Sequence, residues 1–226
     1  MRRILTALLM VLGFASIFAQ GRKPQIRENI PLDSIRLSDP CILADKGTAT
    51  YYMTGTGGLL WKSKDLSRWT GPYVVTQTDP ESWMGPQPMI WAAELHQYKG
   101  KYYYFATFTN RNKIIETVKG NVINRRSSHV LVSHHPEGPY VPMQDSVYLP
   151  PQKPTLDGTF WVDTDGKPYM IYCHEWLQNW NGTMESAVER CYWSKVQKDF
   201  KFGTTAATAT STSCSTLYEY RGWATG

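Results

Sequence analysis

Short runs in which apolar and polar side chains alternate cover much of this chain, the period of two that marks half-buried β-strands. The clearest lies within residues 155–176, where Phe160 and Val162 alternate with Trp161 and Asp163, and Tyr169 and Ile171 with Met170 and Tyr172. Between the two runs stands Asp165-Gly166, and an Asp-Gly pair so flanked predicts a β-hairpin. The first strand carries Asp157 near its start, and the second ends on Cys173-His174-Glu175-Trp176. A related pattern precedes it at 36–54, with Asp39 near a strand start, a turn at Asp45-Lys46-Gly47 and a Tyr-rich strand after it. A weaker third copy at 91–107 has Glu94 shortly before the turn Lys99-Gly100-Lys101. Asp39 and Asp157 thus hold matching places in two repeats.

Each copy continues in a similar way. Residues 59–72 predict a strand ending at Ser63, a turn through Lys64-Asp65 and a return to Trp69. Residues 130–142 repeat that order, and 187–200 are expected to do so in the third unit. Four-stranded antiparallel units recurring every ~40 to 50 residues or slightly more are the signature of a β-propeller. Here the period is stretched by loops such as 109–127. The fold expected is all-β, an incomplete propeller with about three blades in 36–202, after a lead-in at 20–35 where Pro24 and Pro31 oppose a helix. A β-sandwich, whose strands also recur at short spacing, is the competing architecture. Residues 203–226 open with a run biased to Thr, Ala and Ser, so this tail is expected to be irregular. In a propeller the innermost strands line one funnel, where Asp39 and Asp157 would converge.

The N-terminus changes the picture of where the protein works. Arg2-Arg3, an apolar run from Ile4 to Phe18 and Ala19-Gln20 have the build of a secretory signal peptide, expected to occupy 1–19. The run is short for a membrane span of ~20 residues. A retained N-terminal anchor helix is the alternative. Export gives a secreted or periplasmic protein with no membrane association after cleavage. The remaining chain, about 207 of the 226 residues, is long enough for a full core. Without Arg2 and Arg3 it holds 22 basic and 19 acidic residues, a formal charge of +3. Basic residues look scattered, with Arg22-Lys23 and Arg125-Arg126 the adjacent pairs, so a nucleic-acid footprint is not expected. Cys41, Cys173, Cys191 and Cys214 show no zinc spacing. Cys173 and Cys191 are candidates for a cross-strand disulfide, with small buried hydrophobes as the equal alternative.

Four motifs carry a family resemblance. Ser-Asp-Pro at 38–40, Ser-Lys-Asp-Leu-Ser-Arg-Trp at 63–69, Trp-Ala-Ala-Glu-Leu at 91–95 and the run 156–169 from Leu-Asp-Gly to Lys-Pro-Tyr resemble those of glycoside hydrolase family 43. The resemblance covers about 36–176, and the order of the motifs is more specific than any one of them. It implies a five-bladed β-propeller that removes arabinofuranosyl or xylosyl units from plant polysaccharides or oligosaccharides with inversion. It also implies that Asp39 is the general base and Asp157 the aspartate that orients the general acid and raises its pKa. An inverting glycosidase holds base and acid roughly 6.5–9.5 Å apart, leaving room for the attacking water. A neighbouring negative charge helps keep the acid protonated.

The family's acid comes from the start of the fourth blade, and no matching motif is found there. Glu137-Gly138-Pro139 falls in an outer turn, and Glu219 has unmatched neighbours. An inactive or glycan-binding propeller lacking the acid is therefore carried beside the hydrolase reading. A sialidase-like enzyme has neither its arginine triad nor its Asp box here.

Asp39 precedes Pro40 and has a plain turn-initiating reading as well. Trp91 is a candidate sugar platform or a core residue. Glu94, His174 and Glu175 are candidate sugar contacts, each with a structural alternative. No cofactor is expected to be required and no metal ligands are assigned, although the resemblance allows a structural calcium in the central channel, with His174 near its water shell. His134-His135 lacks a partner at metal-ligand spacing.

Overall fold

The computed structural model describes residues 24–118, 120–143, 154–162, 164, 166, 168–174 and 216–219. They form three antiparallel sheets and a single 3-10 turn at Leu32–Ser34. The first sheet has the order β1-β5-β4-β3-β2, built from β1 (Arg27–Pro31), β2 (Cys41–Asp45), β3 (Thr50–Thr54), β4 (Leu59–Ser63) and β5 (Arg68–Val74). The second runs β6 (Met89–Tyr98), β7 (Lys101–Val118), β8 (Asn121–Ser133), β9 (Val141–Pro142). The third runs β10 (Thr155–Val162), β11 (Pro168–His174), β12 (Thr216–Glu219). Sheets in which β2 to β5, β6 to β9 and β10 to β12 lie side by side in order, with β1 added on the outer edge of β5, are propeller blades, and the architecture is all-β, of the five-bladed family type, with three blades among the described residues.

The blades stack face to face, which explains the aromatic run Tyr102-Tyr103-Tyr104-Phe105. Alternate residues of a strand point to opposite faces. Tyr102, Tyr104, Ala106 and Phe108 accordingly pack with Tyr52 and Leu60 of the first blade. Tyr103 and Phe105 turn the other way and pack with Met170 and Tyr172 of the third. A middle blade buried on both faces loses the polar alternation of a half-buried sheet, so the first part of β7, from Tyr102 to Phe108, reads as a nearly continuous apolar run. A third cluster, Ile30, Met53, Trp61 and Trp69, covers the other face of the first blade.

Two expectations change. The stretch 109–127, expected as a loop, is the distal part of the β7–β8 hairpin, paired from Thr109↔Arg126 out to Val118↔Asn121. The strand that flanks β11 is Thr216–Glu219, inside the tail expected to be irregular. The segment 187–200, expected to supply that strand, lies outside the described residues, as do 1–23. The strand pairing is local chemistry in each case: Thr216-Leu217-Tyr218 is β-prone, and the distal hairpin has Gly120 at positive φ for its turn.

Candidate active site

Register defines the rim of the funnel. In β10–β11 the pairing passes from Leu156↔Cys173 to Thr159↔Ile171, and in β6–β7 from Trp91↔Thr107 to Glu94↔Phe105. Each step spans three residues on one strand and two on the other, a β-bulge, which bends a strand and re-aims a side chain. Asp157 and Ala92 occupy the same place in the two bulges, with φ of 55° and 42°. Asp39, with φ of 53°, stands the same distance ahead of the pair Cys41↔Thr54. The residue in blade 2 that matches the two aspartates is therefore Ala92, and Glu94 lies two positions further in, level with Cys41 and Thr159.

Hydrogen bonds repeat with the register. The Ala92 N–H donates to Thr56 Oγ1 at 3.0 Å, and the Asp157 N–H donates to Thr107 Oγ1 at 2.9 Å. At each blade junction a threonine hydroxyl thus accepts from the rim residue of the next blade. The Thr56 hydroxyl also donates to Asp39 Oδ2 at 2.7 Å, which fixes that carboxylate against the first junction. Both Asp39 and Asp157 are exposed. By register the backbone of Cys173 in β11 holds the place of Thr56 and Thr107.

Glu94 is engaged between the second and third blades. Its Oε2 accepts from Thr159 Oγ1 at 2.6 Å and lies 2.8 Å from His96 Nε2. Burial pushes its carboxyl up, but the bonds from His96 and Thr159 outweigh this and hold it below the usual range. Burial likewise pushes the adjacent Cys41 thiol up, with the charge on Glu94 adding to the effect, so Cys41 is a neutral thiol. Trp91 is half-buried, and the Arg126 guanidinium lies 4.1 Å from its ring centre, a cation–π stack that covers one indole face. Arg126 Nε donates to Thr109 Oγ1 at 3.2 Å, and the Trp91 indole N–H points at Met89 Sδ.

The backbone of His174 pairs with Thr155 at the rim end of β11. The His174 side chain and the whole of Glu175 lie outside the described residues. Glu219 pairs with Tyr169, close to the hairpin turn and two strands from β10. That places it roughly 10 Å along and 10 Å across the sheet from the bulge at Asp157, away from the rim. Glu137 binds Lys62 of the first blade at 2.9 Å. Asp65 closes its own turn, accepting from the Ser67 and Arg68 N–H groups at 2.9 Å each.

A channel calcium requires six to eight oxygen ligands. Among the described residues no three His, Cys, Asp or Glu side chains gather around one point. Glu94 is the carboxylate at this blade junction, and its Oε2 already faces His96 and Thr159. These side chains, among the described residues, do not fit the ion. Among the described residues no helix is long and apolar enough to cross a membrane.

The family model described as glycosyl hydrolases family 43 matches residues 29–223. Among solved structures, an endo-arabinase from Bacteroides thetaiotaomicron is 34% identical, with 67% of this chain and 50% of that one covered, at a TM-score of 0.55. An endo-1,4-beta-xylanase from the same organism is 20% identical, covering 66% of this chain and 45% of the other, at a TM-score of 0.45. An endo-arabinanase of this family from Bacillus licheniformis is 20% identical, covering 62% and 48%, with a TM-score of 0.45. The chain spans about half the length of these structures. No curated protein matches the sequence. On the extent of the family match, with the 34%-identical structure beside it, the chain belongs to glycosyl hydrolase family 43.

Proposed function

We propose that this protein acts on arabinose- or xylose-containing plant polysaccharides or oligosaccharides as an exported, inverting glycoside hydrolase, with arabinan the first substrate to try. The observation that carries the reading is the pair of exposed aspartates, Asp39 and Asp157, at equivalent left-handed rim positions of two blades. Family membership and the 34% identity to an endo-arabinase support the substrate class. Asp39 takes a proton from a water, whose oxygen attacks the anomeric carbon from the face opposite the leaving group. The glycosidic C–O bond breaks, the leaving oxygen receives a proton from a general acid, and the configuration inverts. Asp157 orients that acid and keeps its proton on. Thr56 holds the base in place.

A second reading is favoured by one observation: Glu219, weighed as a stand-in for the acid, sits far from the rim by register. The protein then binds the glycan without turning it over. Expression of residues 20–226 and assay on arabinan, xylan and small aryl glycosides, with anomeric configuration followed by NMR, separates the two. Turnover with inversion, reduced ~10² to 10⁴-fold by Asp39→Asn, supports the hydrolase. Glycan binding without turnover supports the second reading, and a folded protein with neither refutes both.

A further inference from the structure

The distal β7–β8 hairpin rises from the rim and concentrates positive charge. Residues 110–126 contain Arg111, Lys113, Lys119, Arg125 and Arg126 against Glu116, a net +4, whereas the chain without Arg2 and Arg3 totals +3, which leaves −1 for everything else. In sequence these basic residues look dispersed. Pairing gathers them: Asn110 lies opposite Arg125 and the pairing resumes at Ile114↔Asn124, so Arg111 and Lys113 lie in the register shift beside Arg125, while Arg126, opposite Thr109, stands one step nearer the foot on the other face.

The placement relative to the rim follows from register. β6 begins at Met89, opposite Thr109, two residues before Trp91 and three before Ala92. β7 runs on to Val118, and at ~3.3 Å per residue its nine residues past Thr109 reach up to about 30 Å beyond the start of β6. Arg111 and Lys113 are exposed, and Ile114 and Val122 are 59% and 49% exposed, so the arm stands in solvent. Its base is held: Asn110 Nδ2 donates to the Trp83 carbonyl at 3.0 Å, and Asn124 Nδ2 donates to the Arg111 carbonyl at 3.0 Å. At the foot Arg126 stacks on Trp91, next to Ala92, which is bonded to the threonine that holds Asp39.

We propose that this arm binds the carboxylates of an acidic polysaccharide, one bearing uronic acid units, and lays it across the rim. The inference rests on the rim being a glycan site, and it adds the charge class of the glycan. A local cluster of cations with one acid favours a polyanion over a neutral polymer by charge. The field is local to the arm, whereas nucleic-acid binding uses a broad basic face, and the rest of the chain is nearly neutral.

The test is affinity electrophoresis of the exported chain through gels containing polygalacturonate, debranched neutral arabinan or duplex DNA. The variants are Arg111→Gln/Lys113→Gln/Arg125→Gln and the charge-keeping Arg111→Lys/Arg125→Lys. Expected are retardation by polygalacturonate, a roughly tenfold weaker apparent affinity in the Gln variant, and near-normal behaviour in the Lys variant. Retardation should disappear near about 1 M salt, where the screening length is ~3 Å. Binding of neutral arabinan should be the same in all three proteins. No retardation of wild type by polygalacturonate overturns the proposal, as does retention by the Gln variant equal to wild type, or DNA retarding the wild type as strongly as polygalacturonate does. Should the Gln variant fail to fold, salt-insensitive retention of wild type overturns it in its place. Loss of arabinan binding alone, with polygalacturonate binding intact, counts against the proposed substrate and not against the arm.

Discussion

Tyr102→Phe tests how the first two blades are joined at the end opposite the rim. Asp45 closes the β2–β3 turn, accepting from the Thr48 N–H at 2.8 Å and the Thr48 hydroxyl at 2.6 Å. Its other oxygen accepts from the Tyr102 hydroxyl of the next blade at 2.9 Å, 57 residues away in sequence. Both partners are buried, at 2% and 8% exposure. A hydrogen bond to a charged group contributes ~1.5–3 kcal/mol, and phenylalanine fills the same volume, so the expected loss is ~1.5–2 kcal/mol. Asp45→Ala also leaves the Tyr102 O–H without its acceptor, although that oxygen still accepts from Gln97 Nε2 at 3.3 Å, and frees the turn, for a loss of ~3 kcal/mol. The double mutant should show a coupling of ~1.5 kcal/mol.

The pH dependence gives a second check. Burial pushes the Asp45 carboxyl up, but the Thr48 and Tyr102 bonds outweigh it and leave it below its ordinary value. A lowered carboxylate stabilises the fold above its unfolded pKa of ~3.9 and loses that contribution as pH falls through the folded value. Tyr102, raised by burial and then by Asp45 to about 12, contributes fully below its unfolded value of ~10 and loses the contribution as pH rises toward 12. Urea unfolding followed by tryptophan fluorescence should therefore show the full wild-type-to-Phe gap at pH 7 and a smaller one below about pH 4. A gap under about 0.5 kcal/mol at pH 7, or one unchanged at pH 3, refutes the reasoning.

Two further outcomes follow from the rim. Thr56→Val removes both the donor to Asp39 and the acceptor of the Ala92 N–H, so urea unfolding should show a loss of ~1–2 kcal/mol that Thr56→Ser restores. Gly158→Ala places a Cβ 2.8 Å from Ser128 Cβ and 3.0 Å from Met170 Sδ, an overpacking expected to cost ~1–3 kcal/mol in the same assay.

The hairpins and the kinship of Asp39 with Asp157 were legible in the sequence because aromatic alternation and Asp-Gly turns are local signals. The third member of the series was not. Glu94 attracted attention as the acidic residue of its repeat, but equivalence follows the bulge, and Trp91-Ala92-Ala93-Glu94 has no composition that reveals a bulge. The arm was missed for a related reason: its pairing shifts between Asn110 and Ile114 and again between Ile114 and Glu116, so the period of two is broken where a strand is present. Charges on opposite strands become neighbours only through pairing, which explains why Arg111 and Arg125 read as scattered.

The left-handed rim joins fold to chemistry. A non-glycine residue at positive φ costs roughly 1–2 kcal/mol, somewhat less for aspartate, whose short polar chain bonds locally. Ala92 has no such side chain and adopts φ of 42° all the same. The conformation is therefore imposed by the junction, through the bulge register and the N–H bond to Thr56, and not chosen by the residue that occupies it. The same device recurs at Asp157 through Thr107. Each junction thus presents one strained, re-aimed position at the rim. In blades 1 and 3 it is filled by a carboxylate, and in blade 2 by a single methyl group between them.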